Sequence, residues 1–488
     1  MNPISLNTYR ALPEHMFSDD VPLATRDPQL LILNSELLRE YDVANAWFRS
    51  AEGLSILSGN ATNSDNPPIA MAYVGHQFGH RAPMLGDGRA HMLGQMHTAQ
   101  GNVDIQLKGS GATRFSRGGD GRATLASVLR EHIVSEAMAG LGIPTTRSLA
   151  VITTGDTVHR EDPEPGGISV RTAKSHIRVG SFEYAADQVK NQSDKNAVKA
   201  LADYMIEQHF AEVAETENPY AELLLTVSEL QAQLISQWML VGFIHGVMNT
   251  DNMAIVGETI DFGPCAFMDE FNAEKVFSSI DRHGRYAWAN QPGIGLWNLT
   301  RLAETLLPLL SNDSDTAVKI AETQLKQFMP SFQGHFYAGL RKKLGLPDDS
   351  SATNEFADKT LALLGDQSID MTVFFDTLTA VASGDDEQTL LELFGNHNGC
   401  KEWLSQWHNL RSDDDSTIQS MRLSNPAIIA RNHRVEEALL AATEHNDLQP
   451  ALRLAEALRN PFSCSPENAD LQTPPLPEER VTATFCGT

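Results

Sequence analysis

The spacing of apolar residues changes period along this chain. Residues 70–155 are dense in glycine and carry short β-prone runs, HMLGQMH at 91–97 and VDIQLKG at 103–109. In the second run Ile105 and Leu107 alternate with polar neighbours, which predicts a strand ending at Lys108. Over 124–141 the period becomes helical. Leu125, Val128, Leu129, Ile133, Ala137 and Leu141 share one face, and Gly140, Gly142 and Pro144 supply the stop. SLAVITTGDTVHR, at 148–160, predicts strand, turn, strand. Residues 195–245 predict mostly helix, and NMAIVGETIDFG, at 252–263, two short strands around Gly257 and Glu258. From about residue 295 the pattern is helical to the end, whereas residues 1–65 are mixed. The expectation is an α+β chain of two lobes with a cleft between them: a β-rich N-terminal region over 1–230 and a helical region over 231–488.

Composition supports a packed protein. The 488 residues are 41% hydrophobic and 20% charged, enough for a sizeable core in one or two domains. The stretch 234–248, LISQWMLVGFIHGVM, has no formal charge but is short and contains Ser, Gln and His, so a buried helix is expected there and no membrane span. Net charge is −26. Such a surface repels nucleic-acid phosphates and anionic lipid, so neither is an expected partner. A phosphate-bearing small molecule could bind only where the 37 basic residues gather. Four cysteines with no CxxC pair, and no leader-like N-terminus, predict a reducing cytoplasm.

The chemistry concentrates in HGVMNTDNMAIVGETIDFG, residues 245–263. Kinase-like enzymes place an Asn in a catalytic loop, then a hairpin, then Asp-Phe-Gly, with the Asn and Asp holding the metal that bridges nucleotide phosphates. Asn252 and Asp261 fit those places, and their oxygens suit Mg²⁺ or Mn²⁺. The segment also has a defect. The Asp that kinases use on the attacking hydroxyl is replaced by Val247, which cannot accept a proton; the nearest carboxylate is Asp251. Two readings follow: a relocated base acting on another phosphorus, or a catalytically silent nucleotide-binding pseudokinase serving regulation or scaffolding.

Lys108 can reach phosphates if a Glu from the following helix holds it. Glu131 flanks the apolar face of that helix and Glu136 lies nearer its middle, so periodicity favours Glu136. Gly86, Gly88 and Arg89 in PMLGDGRAHML, and Asp120, Gly121 and Arg122 in SRGGDGRATL, are two turns that bring backbone N–H groups and an arginine together. SVRTAKSHIRVGSFEY adds Arg171, Lys174, His176 and Arg178. Arg171 and Arg178 would share a side of a helix but point to opposite faces of a strand. His76, His80, His91 and His97 lack metal-ligand spacing, and structural roles are expected for them.

YVGHQFGHRAPMLGDGRA, LKGSG, SRGGDGRATL, LREHIVSEAMAGLGIPTTRSLAVI, SHIRVGSFEY, HGVMNTDNMAIVGETIDFGPCAFMDEF and HGRYAWANQPGIGLWNL resemble the selenoprotein O family, most strongly over about 70–300. The resemblance implies a protein-kinase-like fold with family-specific extensions. It binds ATP in a flipped orientation and transfers AMP to Ser, Thr or Tyr hydroxyls of proteins as pyrophosphate leaves; some members use UTP with Mn²⁺. It further implies an ion pair between Lys108 and Glu131, and ATP contacts from Gly86, Gly88, Arg89, Asp120, Gly121, Arg171 and Arg178. Asn252 and Asp261 would bind metal, with Asp261 also at the nucleotide, and Asp251 would accept the proton. The family carries a selenocysteine or Cys near its C-terminus. Cys486 stands there, followed by Gly-Thr where Ser-Ser is usual. Some bacterial members pair it with a Cys after Asp-Phe-Gly; that position here is Phe277 or Ser278, and Cys265 is the nearer cysteine.

Overall fold

A computed structural model describes residues 2–5, 7–63, 66–347, 349–395 and 398–485. The N-terminal part is built on one sheet. Its strands are β1 (Ile4–Ser5), β2 (Phe17–Asp19), β3 (Gln29–Leu33), β4 (Ile69–Met71), β5 (Ala90–Thr98), β6 (Gly101–Lys108), β7 (Ala123–Thr124), β8 (Arg147–His159) and β9 (Pro163–Ala173). The order is β2-β4-β5-β6-β9-β8-β3, with β1 added on β5 and β7 on β9, and every pairing is antiparallel. A small hairpin, Gly75–Gln77 with His80–Ala82, stands apart from it.

Register decides which side chains share a face. Gln106 lies opposite Arg171, and Lys108 is two residues along the same strand, so all three project from one side. Ile105, Leu107, Ile168 and Val170 take the other side. They pack into a core of their own with Leu37 and Leu38 of helix α1 (Ser35–Glu40), Leu57 of helix α2 (Ala51–Leu57), and Trp47 and Phe48 from the turn between them. Full burial of each such side chain stabilises the layer by roughly 1.5–3 kcal/mol. The sheet thus has a greasy back and a charged front.

Helix α3 (Leu125–Gly140) crosses that front. Thr124 caps it by accepting from the Ser127 N–H. It is buried almost all round, because β8 and β9 cover one side and helices Asn432–Glu444 and Gln449–Leu458 the other. The remainder is helical: α4 (Val179–Lys190), α5 (Ala197–His209), α6 (Pro219–Leu240) and α7 (Gln291–Leu310), then further helices to Gln472. Beyond the sheet, a two-residue pair, Phe243–Ile244 with Ala266–Phe267, sits at the base of the 245–263 segment. No helix of the described residues is long and apolar enough to cross a membrane.

Two local expectations give way. Residues 148–160 form no strand-turn-strand; 148–159 belong to one 13-residue strand, β8, whose Gly155 sits at φ +70 in a bulge, and Arg160 lies just past its end. Residues 252–263 form no hairpin either. Gly257 turns the chain, but Ala254 bridges to Arg178 and Thr259 to Thr145, so each arm pairs with a neighbour instead of its twin.

Candidate nucleotide site

The sheet front, α3 and the 245–263 segment enclose a cavity of about 480 Å³. Arg89, Lys108, Arg117, Arg122, Arg160, Arg171 and Arg178 line it, against five carboxylates: Asp87, Asp120, Glu131, Asp251 and Asp261. Seven of the 37 basic residues of a chain with net charge −26 thus gather in one cavity. Gly86, Gly88, Gly121, Val247 and Asn252, also anticipated from sequence, line the same cavity.

At one end Asp261 is caged by cations. Its Oδ1 accepts from Lys108 Nζ at 2.7 Å and Arg171 Nη1 at 2.8 Å; Arg178 Nη1 lies 3.3 Å from Oδ2. Glu131 Oε1 accepts from the same Lys108, at 2.9 Å, and the same Arg171, at 3.1 Å. Burial opposes the Asp261 charge, but Lys108, Arg171 and Arg178 outweigh it and hold the carboxyl well below the usual range. Glu131 is lowered in the same way, Lys108 and Arg171 overcoming its burial. Asp261 has φ +65, an arrangement that costs of order 1–3 kcal/mol and is held by these contacts. His245 braces the segment: its buried Nε2 meets the Ile260 carbonyl at 2.9 Å.

Periodicity misassigned the glutamate. Glu136 bonds Arg147 through both oxygens, at 3.0 and 2.9 Å, on the far side of α3. The apolar face could not discriminate, because this helix is covered on all sides and both glutamates are buried. Arg171 and Arg178 converge although seven residues separate them, since one projects from β9 and the other is the N-cap residue of α4. Lys174 and His176 do not line the cavity; His176 turns to Asp104, 3.3 Å away.

The other end is different. Asp251 lies in a 3-10 turn, Thr250–Asn252, with its backbone carbonyl held by Arg178 Nη1 at 2.9 Å. Its Oδ1 is enclosed with no hydrogen-bond partner, and Gln77 Nε2 reaches Oδ2 only at 3.4 Å. Burial pushes this carboxyl up to about 6, with Arg178 opposing. A Cβ on Gly75 would stand 2.6 Å from Oδ1, so glycine is what lets the hairpin close over the carboxylate. Val247 is buried and apolar. Asn252 donates its amide nitrogen to the Val247 carbonyl at 3.0 Å, which orients the amide and leaves its oxygen as the atom that could meet a cation.

At the glycine-rich rim Gly86 has φ +64, and a Cβ there would overlap the Phe115 ring at 2.3 Å. Asp120 receives both terminal nitrogens of Arg160, at 3.0 and 3.1 Å, which with burial opposing lowers its pKa. Arg160 escaped the sequence reading: it follows a long strand, far from any glycine motif, and only the sheet carries it to the rim.

Among the described residues no cluster of three His, Cys, Asp or Glu could hold an ion alone. Asn252 and Asp261 both line this cavity and carry hard oxygens, which fits an ion shared with phosphates. Three of the four histidines make side-chain bonds outside the cavity: His76 with Glu183, His91 with Ser110 Oγ at 2.7 Å and His97 with Asn102 at 3.0 Å. Cys486 lies outside the described residues. Cys265 is buried, its Sγ 3.2 Å from the Phe262 carbonyl, and burial pushes its thiol up to about 11.

A family profile described as "Protein adenylyltransferase SelO" matches residues 6–459. The chain belongs to the SelO family. That membership makes it an enzyme of the nucleotidyltransferase class. Among its relatives, a protein from Shewanella denitrificans named "Protein nucleotidyltransferase YdiU" is 50% identical over 500 residues, covering 100% of this chain and 98% of that one. Proteins of the same name from Rhizobium johnstonii and Bacillus cytotoxicus are each 48% identical, covering 99% of this chain and 97% of theirs.

Proposed function

We propose that this SelO-family chain transfers AMP from ATP to Ser, Thr or Tyr hydroxyls of proteins, on a protein-kinase-like two-lobed fold divided at about residue 230. One observation carries the reading. The cavity has an apolar Val247 where kinases keep their base, and it is also lined by a carboxylate, Asp251, one of whose oxygens is enclosed without a partner. Lys108, Arg171 and Arg178 are neutralised by Asp261 and Glu131 and exchange those partners for phosphate oxygens when nucleotide enters. Gly86, Gly88 and Gly121 give close approach at the rim, where Arg89 and Asp120 contact the nucleotide.

Asn252 and Asp261 would hold Mg²⁺ or Mn²⁺, which neutralises phosphate charge. Asp251 takes the proton from the substrate hydroxyl. That oxygen bonds to the α-phosphorus, the α–β bridging bond breaks, and pyrophosphate departs with the electron pair. UTP with Mn²⁺ is a second substrate of the same site, transferring UMP. The place of action is the cytoplasm.

A second reading, a silent nucleotide-binding pseudokinase acting in regulation or as a scaffold, draws on the cage of cations around Asp261, which must open before a metal can bind. One experiment separates the two. With ATP labelled at the α- or at the γ-phosphate, AMP transfer puts label on protein from the α-position alone. Label from γ-ATP only would make the enzyme a kinase, and label from neither would favour the silent reading.

A further inference from the structure

Next to Asp251 the cavity opens onto a surface that the transfer chemistry does not use. Ile280 lines the mouth and is 52% exposed, unusual for so large an apolar side chain. Two residues on, Arg282 and His283 are exposed at the tip of a tight loop. Asp281 shapes that loop by accepting from the backbone N–H groups of Arg285, at 2.9 Å, and Tyr286, at 2.7 Å. Among the described residues no carboxylate pairs with Arg282 or Arg285, in a chain with 63 acidic residues to 37 basic ones.

One arginine of the loop, Arg285, rests on an aromatic base that it shares with Arg301 of α7. The Arg285 guanidinium lies 4.9 Å from the Trp297 ring centre, and Arg301 lies 5.1 Å from it. Arg301 also bonds Glu304 at 2.7 Å. A stacked guanidinium keeps its edge N–H groups for carboxylates while its face is held by the ring. The platform is tied to the reacting end of the cavity. Tyr286 donates its hydroxyl to Asn249 at 2.6 Å, and Asn249 accepts from the Phe78 N–H at 3.1 Å. Asn249 lines the cavity two residues before Asp251.

We propose that Ile280, Arg282, Arg285 and Trp297 form the docking platform for the modified protein, and that they select a segment with acidic residues beside its hydroxyl. The proposal rests on the transfer reading for what is docked. Its physical content is a local positive, apolar-edged surface on a negative molecule, which fits an acidic partner and repels a basic one.

The test uses full-length protein and two fluorescent peptides that share a central Ser-Thr-Tyr, one flanked by glutamates and one by glutamines. Binding is compared for wild type, Arg282→Glu, Arg282→Glu with Arg285→Glu, and a control of equal charge change on the back layer, Arg39→Glu with Arg49→Glu. Melting curves check folding, and the exposed single variant decides if the double variant melts early. The expected result is tighter binding of the glutamate peptide by wild type, lost by roughly tenfold in the loop variants, undiminished in the control, and abolished by high salt. Equal binding of the two peptides, or equal losses in loop variants and control, overturns the platform. α-Labelled ATP is added in a parallel arm. Peptide preference without any label transfer supports the platform and sinks the transfer reading instead.

Discussion

The two ends of the cavity hold aspartates ten residues apart in opposite electrostatic settings. Asp261 is surrounded by Lys108, Arg171 and Arg178 and is held far into its charged form. Asp251 is the more buried of the two, yet its Oδ1 has no partner and its pKa is raised to about 6. Burial is common to both; pairing separates them. A paired carboxylate is a permanent anion suited to hold cations, and an unpaired one is a proton acceptor. On the proposed function, phosphates and metal belong to one end and the proton to the other.

Changing Asp251→Asn is expected to have the largest effect. Label transfer from α-ATP should fall by roughly 10²–10⁴-fold while nucleotide affinity is kept, because only proton removal is lost. A fall in affinity equal to the fall in rate would erase the distinction between the ends. Lys108→Ala attacks the opposite end. It should lower transfer by about 10²–10³-fold and weaken ATP binding as well, read by titration of a fluorescent ATP analogue.

A smaller effect sharpens the contrast through stability. The folded pKa of Asp251 lies above the 3.8 of a free aspartate, so its stabilising contribution is full below that value and is lost as pH rises through about 6. Asp251→Asn escapes this loss. Its advantage in melting over wild type should grow between about pH 4 and pH 7, towards roughly 3 kcal/mol at about 1.4 kcal/mol per unit. A variant that is less stable than wild type at pH 7 would contradict the unpaired state. The smallest effect concerns the two glutamates. Glu136→Gln weakens the pair with Arg147 and should cost about 1–3 kcal/mol of stability with transfer unchanged, whereas Glu131→Gln lowers transfer.

Much of this could be read along the chain. Ile105 and Leu107 marked the strand that ends at Lys108, and the helical period of 125–137 marked α3. The cavity-lining glycines stood out by composition. What could not be read was anything set by who packs on whom. Glu131 and Glu136 are both buried, and only the placement of Arg147 on β8 separates them. The expected hairpin at 252–263 failed because Arg178 and Thr145 offered better partners to its arms. Arg160 reached the site through sheet order, and the docking loop through one aspartate, Asp281, neither of which has a period.

The most direct test is a crystal structure with a non-hydrolysable ATP analogue and Mn²⁺, whose anomalous scattering locates the ion. The account predicts manganese between Asn252 and Asp261, triphosphate contacts from Lys108, and the α-phosphate as the phosphate nearest Asp251. A γ-phosphate nearest Asp251, or manganese away from both ligands, would contradict it.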